Sequence, residues 1–429
     1  MIRIKRTNDN FEREALISPF GFKGGYVSEV WQSVVRMESQ SGQVGLGLGT
    51  QSPLWSDADV FAGNSPASGN ALMYLMTSFA LRAAKDIPFE TPFELLDAVL
   101  PMTHDYGIKI TGRQDLRLTF ALNSLVSVDN AAWQLYCAEN GIQGFDEMIP
   151  DTVRPALSYR QQRLAAVPLM TYGIPTKDIV QAVDDGFFFL KIKIGSNPAG
   201  DGDLDKMLEW DKARLSEIHA AVKDRTTEHT EDGRIPYYLD ANGRYDSRER
   251  LMRLLDHAEK IGALERIILL EEPFPEEYKI DVSGIPVRLA ADESAHSDKD
   301  AVERIEMGYK AIALKPIAKT MSMSLRILEA AHSRDIPCFC ADLTVNPILV
   351  DWNKNVAARL KPLPGMRVGV LESNGHQNYS SWELLKSYHT RPKGSWIVPE
   401  RGLFHLDESF YQCSGGFLEQ SQHYLQVTP

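Results

Sequence analysis

Five short stretches place charge at the ends of the most apolar runs of the chain: "FFFLKIKIG", "YYLDANG", "ILLEEPFP", "RLAADESAHS" and "AIALKPIAKT". They carry Lys191 and Lys193, then Asp240, the pair Glu271 and Glu272, the pair Asp292 and Glu293, and finally Lys315. Charge at such positions is costly to desolvate unless it is paired or binds a metal. Asp240 with one acid from each pair makes a hard oxygen donor set. Completed by waters and a bidentate substrate carboxylate, it suits one Mg²⁺. No His or Cys accompanies these acids, so a softer metal is not indicated. Lys191 and Lys193 are two apart and share one side of a strand. Facing a helix layer would leave two ammonium groups in hydrocarbon, so they are expected to face an open mouth, with Lys315 across from them. A lysine works as a base when neighbouring positive charge and partial burial depress its pKa, and Lys191 offers Lys193 such a neighbour. Lysines on opposite faces of a carbon acid can remove a proton on one side and return it on the other, with a metal stabilising the enediolate between. The bland alternative is that each acid caps a helix or pairs with a nearby lysine. It suits one such residue better than three in series.

The elements that must position these groups are legible as a period. From about residue 165, eight apolar runs alternate with amphipathic stretches: "AVPLMTYG", "FFFLKIKIG", "IPYYLDANG", "RIILLEEP", "VRLAADES", "KAIALKPI", "IPCFCADL" and "RVGVLESN". Runs apolar on both faces with helical crossovers argue for a parallel sheet, and this spacing predicts a (β/α)8 barrel, a TIM-like α/β fold. Helices are expected over 203–223, 246–260, 298–307 and 319–333. A barrel builds its site at the C-terminal ends of its strands, where the acids and lysines fall. The first ~160 residues read as an α+β unit: "YVSEVWQSVVRMES" alternates as an antiparallel strand with "SGQVGLGLG" as its partner, and 71–84 and 122–140 have helical periodicity. The glycine run Gly45–Gly49 lacks phosphate-loop spacing and reads as a glycine-rich strand end. "GSWIVPERGLFHLDESF" reads as a strand pair returning to the N-terminal unit. The expected division is residues 1–160, 161–385 and 386–429.

With 429 residues, 43% hydrophobic and 24% charged, the composition is that of a globular protein. A net charge of −12 without any long basic run argues against nucleic acid as a partner. No apolar run approaches the ~20 residues of a membrane span, and the N-terminus lacks a signal-peptide core. Four scattered cysteines suggest no disulfide framework, and Cys338 and Cys340 read as small buried hydrophobes. A cytoplasmic protein without membrane partner is expected, assembled as a homo-oligomer, dimer or higher.

The same residues resemble the enolase superfamily, specifically its muconate-lactonizing-enzyme subgroup within the mandelate racemase/muconate lactonizing enzyme family. The resemblance rests on Lys191-Ile192-Lys193, Asp240-Ala241-Asn242, Glu271-Glu272-Pro273, Asp292-Glu293-Ser294 and Lys315-Pro316 in that order. It extends to "VDNAAWQLYCAENG" in the family's capping domain and "ERGLFHLDESF" in its C-terminal return. It implies that Asp240, Glu271 and Asp292 bind Mg²⁺, that Lys193 and Lys315 are the two acid/base groups, and that Lys191 tunes Lys193. Preference for Glu271 over Glu272 and Asp292 over Glu293 comes from this resemblance alone. Asn242 and Glu293 are expected to support the ligands, and Glu372 and Lys23 to lie near them or the substrate. The family's specificity loops would be Ser18–Tyr26 and Gly49–Ser65, with Phe20, Phe22, Trp55 and Phe61 as an apolar lid and Lys23 meeting an anionic distal group.

There are departures from the family pattern. "VKDRTTEHTEDGR" reads as an exposed insertion between Lys193 and Asp240. Strand eight ends in Glu372-Ser373-Asn374-Gly375, without the Asp-x-Asp with which dipeptide epimerases hold an α-ammonium. Strand seven carries Asp342 but no His, so a His/Asp base is not expected, and His376 reads as an exposed loop residue. The implied function is proton abstraction α to a carboxylate, with racemisation or epimerisation of an acyl amino acid or related small carboxylate favoured. Syn dehydration of the o-succinylbenzoate-synthase kind and cycloisomerisation would use the same groups. From other classes, a Schiff-base lyase would leave the three carboxylates without a task, and a catalytically silent barrel would not need every lysine in place.

Overall fold

The computed structural model describes residues 1–22 and 25–429. Its N-terminal layer is an antiparallel sheet of β1 (Ile4–Phe22), β2 (Gly25–Ser39) and β3 (Val44–Gln51), covered by helices Pro66–Ala84, Pro92–Thr111 and Leu118–Asn140. The helices at 66 and 118 begin a turn before the periodic stretches 71–84 and 122–140, and several of the helix ends carry sequence signals. Ser65 and Thr91 cap the first two, each followed by proline, and Gly112 and Gly141 close the last two in the left-handed region. The glycine run lies on β3, where it lets a helix approach. A Cβ on Gly45 would sit 2.0 Å from the Ala131 carbonyl oxygen, and one on Gly47 1.8 Å from that of Ser127. Helix Leu118–Asn140 therefore rests directly on the backbone of β3.

All eight apolar runs are strands of one ring. In chain order they are β4 (Arg163–Val167) with β5 (Leu169–Met170), β6 (Leu190–Lys193), β7 (Tyr237–Asp240), β8 (Ile267–Glu271), β9 (Leu289–Ala291), β10 (Ala311–Leu314), β11 (Cys338–Cys340) and β12 (Gly369–Glu372). Neighbours pair in parallel, in sequence order. The first position is a single run broken at Pro168, which has no N–H for a ladder. Its first half pairs with β12 and its second with β6, and this closes the barrel. Helices Leu204–Val222, Arg248–Lys260 and Asp298–Glu306 form crossovers capped by Asp203, Ser247 and Ser297. The helix expected from 319 is Met321–His332, preceded by the separate turn Pro316–Lys319.

The layer and the barrel are joined by polar contacts in a buried seam. Asp129 accepts hydrogen bonds from the Ser322 amide (3.0 Å) and hydroxyl (2.5 Å), and Trp133 Nε1 donates to the same hydroxyl at 3.0 Å. The far end of the β1–β2 hairpin reaches the barrel rim, where Leu16 bridges Tyr379 and the Ser380 amide donates to the Ala15 carbonyl.

Three expectations change. The described residues of the segment 18–26 do not form a loop. After a register shift between Ala15 and Phe20, pairing resumes from Phe20↔Val27 to Phe22↔Gly25, so the strands continue almost to the tip. The segment 49–65 likewise finishes β3 and forms helical turns Pro53–Ser56 and Ala58–Ala62, the second capped by Asp57. Finally, "GSWIVPERGLFHLDESF" yields one strand, β13 (Leu403–His405), which pairs antiparallel with β4 and so joins the barrel sheet. The return to the N-terminal layer is made later. Gln420 donates to the Val44 carbonyl, while Asn10 and Asn8 donate to those of Val427 and Pro429. The segment 222–234 precedes β7, at the barrel end opposite the site. It is mostly exposed but docks where Thr230 bridges Met366.

Candidate active site

The strand register sets the geometry. Lys193 lies beside Asp240, and Asp240 beside Glu271, across consecutive parallel strands. Lys191, two residues before Lys193, points to the same interior. Its ammonium lies 3.0 Å from Asp240, 3.1 Å from Glu271 and 3.0 Å from Glu372. Lys193 donates to Asp240 Oδ2 at 2.6 Å and to Asn242 Oδ1 at 2.5 Å. On the other side of the ring Lys315 donates to Asp292 Oδ2. All of these groups are buried.

The acidic pairs resolve by direction. Glu271 turns toward Lys191 and the barrel axis. Glu272, held at φ 39°, turns the other way, and its Oε2 accepts from the Asp292 and Ser294 amides and the Ser294 hydroxyl. It braces the loop that presents Asp292. Asp292 meets both Lys315 and Lys319, while Glu293 Oε1 accepts from Asn242 Nδ2 at 2.9 Å. Carboxylate oxygens of Glu271, Asp292 and Glu293 lie within 4.8 Å of one another. Asp240, expected in that group, is instead engaged by Lys191 and Lys193.

Electrostatics follow from these pairings. Burial opposes ionisation of Asp240, but Lys191 and Lys193 outweigh it and hold the carboxyl at about 2. Asp292 is held well below the carboxylate range despite burial, by Lys315 and Lys319. Glu271 goes the other way, pushed up to about 8 by burial, with Lys191 pulling down and Asp292 adding repulsion. Burial lowers Lys191 and Lys315, but their acid neighbours shift both upward, above the ordinary lysine value. Around the mouth the carboxylates of Asp240, Glu271, Asp292, Glu293, Asp342 and Glu372 outnumber the ammonium groups of Lys191, Lys193, Lys315 and Lys319. A buried, all-oxygen, acid-rich cluster of this kind fits a hard divalent cation.

A narrow cleft opens above these groups, lined by Lys191, Lys193, Asp240, Asn242, Lys315 and Glu372 from the barrel and by Leu16, Val27, Val30, Ser52 and Trp55 from the N-terminal layer. Of the expected lid, Trp55 is buried, with its ring centre 4.6 Å from the Lys315 ammonium and its Nε1 3.4 Å from Asp292 Oδ2. Phe61 packs half-buried beside the hairpin at Gly25. Lys23 and the side chains of Phe20 and Phe22 lie outside the described residues. His376 is not an exposed loop residue. It packs between Phe187 and Trp382, and burial pushes its pKa down to about 4.

One participant escaped the sequence reading and another was named there without a role. Lys319 is fully buried, its ammonium 2.5 Å from the Asp292 carbonyl oxygen and 3.3 Å from Oδ1. Its spacing of four from Lys315 was the available signal, because the turn Pro316–Lys319 brings both ammonium groups to one acid. Asp342 lines the cleft and accepts from the Asn374 and Val345 amides, with its carboxyl raised to about 7 by burial and then by Glu372.

A family model described as enolase C-terminal domain-like matches residues 176–399, and the chain belongs to that family. No curated protein sequence matches the chain. Among solved structures, a mandelate racemase/muconate lactonizing enzyme from Roseiflexus sp. is 15% identical, covering 96% of this chain and 97% of that one, with a TM-score of 0.65. The dipeptide epimerase from Enterococcus faecalis V583, complexed with Mg and L-Leu-L-Tyr, is 18% identical over 95% and 98%, with a TM-score of 0.61. The substrate-liganded L-Ala-D/L-Glu epimerase from Bacillus subtilis is 19% identical over 86% and 89%, with a TM-score of 0.58. At these identities the likeness is one of fold: a barrel with an N-terminal α+β layer. No helix among the described residues is long and apolar enough to cross a membrane.

Proposed function

We propose that this protein is a Mg²⁺-dependent racemase or epimerase that moves the proton on the carbon α to the carboxylate of an acyl amino acid or a related small acid. The observation that carries this reading is the placement of Lys193 and Lys315 on the second and sixth strands of one ring, both lining one cleft with the carboxylates between them. Glu271 and Asp292, with Asp240 or Glu293 as the third, would hold the cation. When bound, it supplies positive charge to the substrate carboxylate and takes up the acids that now engage the lysines. Lys193 and Lys315 then exchange the α-proton on opposite faces, each as base in one direction and acid in the other. Lys191, bonded to Asp240, Glu271 and Glu372, keeps these acids in place beneath the reacting carbon. Asn242 links Lys193 to Glu293 and fixes the approach of that base. Mg and epimerase activity in the names of structural neighbours support the reading. The four cysteines are free thiols, which suits the reducing cytoplasm in which we place the enzyme.

The test is incubation of enantiopure N-acyl amino acids and related acids with the enzyme and Mg²⁺, followed by circular dichroism and mass spectrometry. Loss of optical activity at constant mass is expected. Loss of water would instead select dehydration, and a borohydride-trapped adduct formed in chelator would contradict proton transfer and point to a Schiff base.

A further inference from the structure

Two lysines meet one acid after the sixth strand, and they are held differently. Lys315 and Lys319 bracket the turn Pro316–Lys319, and the Lys319 amide donates to the Lys315 carbonyl at 2.7 Å, so the turn sets their spacing. Lys315 lines the cleft, and its ammonium donates to Asp292 Oδ2. Lys319 is absent from the cleft lining, and its side chain is 0% exposed. Its ammonium donates to the Asp292 backbone carbonyl at 2.5 Å and lies 3.3 Å from Oδ1. One carboxylate is thus met on one oxygen by a lysine that borders the cleft, and on the other by a lysine closed off from it.

The backbone of Asp292 is held from two neighbouring elements. Its amide donates to Glu272 Oε2 at 2.7 Å, and its carbonyl accepts from Lys319 and from the Ala295 amide. A backbone carbonyl does not swing with a side chain, so Lys319 has a fixed partner. The partner of Lys315 is a carboxylate oxygen, and Lys315 has to leave it to reach a substrate carbon. Asp292 is completely buried, and a buried carboxylate that loses its only counter-charge is costly. One divalent cation does not cancel three carboxylates and a substrate carboxylate, so Asp292 goes on drawing Lys315 back. A second ammonium on Asp292 that stays out of the cleft removes this conflict.

We infer that Lys319 is a positioning residue: it stays on Asp292 as a resident counter-charge and so frees Lys315 to work on one face of the substrate. This rests on the proton-transfer reading of the same site and deepens it. The consequence is an asymmetry between the two faces. Lys193 works from Asp240 and Asn242 on the other side of the ring, so removing the charge of Lys319 impairs the face served by Lys315 and spares the other.

The experiment compares Lys319→Gln, which keeps a donor for the Asp292 carbonyl but removes the charge, and Lys319→Met, which removes both, with the wild type. Exchange of the α-proton is followed by NMR in D₂O with saturating Mg²⁺, separately for each enantiomer of the N-acyl amino acid that the wild type exchanges fastest, with N-acetyl-leucine tried first. For the enantiomer that Lys315→Ala no longer exchanges, both variants are expected to lower kcat by about tenfold or more with KM little changed. The other enantiomer is expected to keep its rate. Electron paramagnetic resonance, without substrate, should still count one Mn²⁺ bound per chain in each variant. Melting temperatures are checked alongside, and should Lys319→Met fail to fold, Lys319→Gln decides alone. Equal losses for the two enantiomers, full activity of the glutamine variant on both, or loss of Mn²⁺ binding would overturn the inference, since each makes Lys319 a brace for the loop or the metal site rather than the counter-charge of Asp292. Exchange of neither enantiomer by the wild type on any acid tried would overturn the proton-transfer reading instead.

Discussion

Two buried lysine–carboxylate clusters in this molecule look alike in composition and differ in what they can do. In the first, beneath the C-terminal segment, Lys354 donates to Asp351 Oδ1 and to the Trp396 carbonyl, while Trp396 Nε1 and His389 Nε2 meet Asp351 Oδ2 at 2.8 and 3.1 Å. One acid faces one lysine, Trp396 and His389 fill the remaining positions, and Phe404 covers the ammonium at 4.4 Å. Burial dominates there and lowers Lys354. In the second, at the barrel mouth, the acids outnumber the lysines, their pull raises Lys191 and Lys315, and a cleft opens onto them. The closed cluster is balanced and holds a joint. The open one sets more acids than lysines against a cleft, so a cation can take up acids that now engage the lysines.

The sharpest way to break this contrast is to remove lysines from each cluster. Lys193→Ala and Lys315→Ala are each expected to lower racemisation by about 10³-fold or more, as loss of a general base or acid does, with little change in circular dichroism. Lys354→Met should do the reverse, costing about 3–5 kcal/mol in urea unfolding by leaving Asp351 buried without its lysine, while kcat/KM of the folded fraction holds. The cations sharpen the same point. Saturating Mg²⁺ at about 100 times its Kd is expected to stabilise the protein by about 2.7 kcal/mol, read as a rise in melting temperature. Glu271→Gln or Asp292→Asn should abolish the rise, and Asp351→Asn should retain it.

The smallest effect concerns the seam between layer and barrel. Burial raises Asp129 to about 6 against the opposing hydrogen bonds of Ser322. A carboxyl raised on folding contributes stability that is fully present below its unfolded pKa and is lost as pH rises through the folded value. Stability should therefore fall between about pH 4 and pH 6, by about 3 kcal/mol, and Asp129→Asn should flatten that slope in urea titrations at each pH.

The barrel was more legible in the sequence than the layer above it, for a physical reason. Parallel strands buried on both faces read as unbroken apolar runs, and all eight were found, with their terminal charges marking the mouth. β1 alternates only weakly in exposure, with few buried residues, so its period was invisible, and of the two expected specificity loops one continues the β1–β2 pairing while the other finishes β3 and turns into short helices. Within the site, the meeting of Lys193 with Asp240 follows from strand register, which was not assigned from the sequence. What could not be read was side-chain direction after the strands end. Glu272 and Glu293 are adjacent to Glu271 and Asp292, yet only the backbone turn, with Glu272 at φ 39° and Asn242 at φ 44°, decides which acid faces the axis. Lys319 was hidden for the same reason, since it acts from the turn that follows β10.

The central claim, two lysines working on opposite faces of one carbon, is tested most directly by NMR of enantiopure substrate in D₂O with Mg²⁺. The wild-type enzyme should wash out the α-proton signal of both enantiomers. Lys193→Ala should exchange only one enantiomer and Lys315→Ala only the other. Exchange of both enantiomers by both variants, or of neither by the wild type on any carboxylate it binds, would contradict the account.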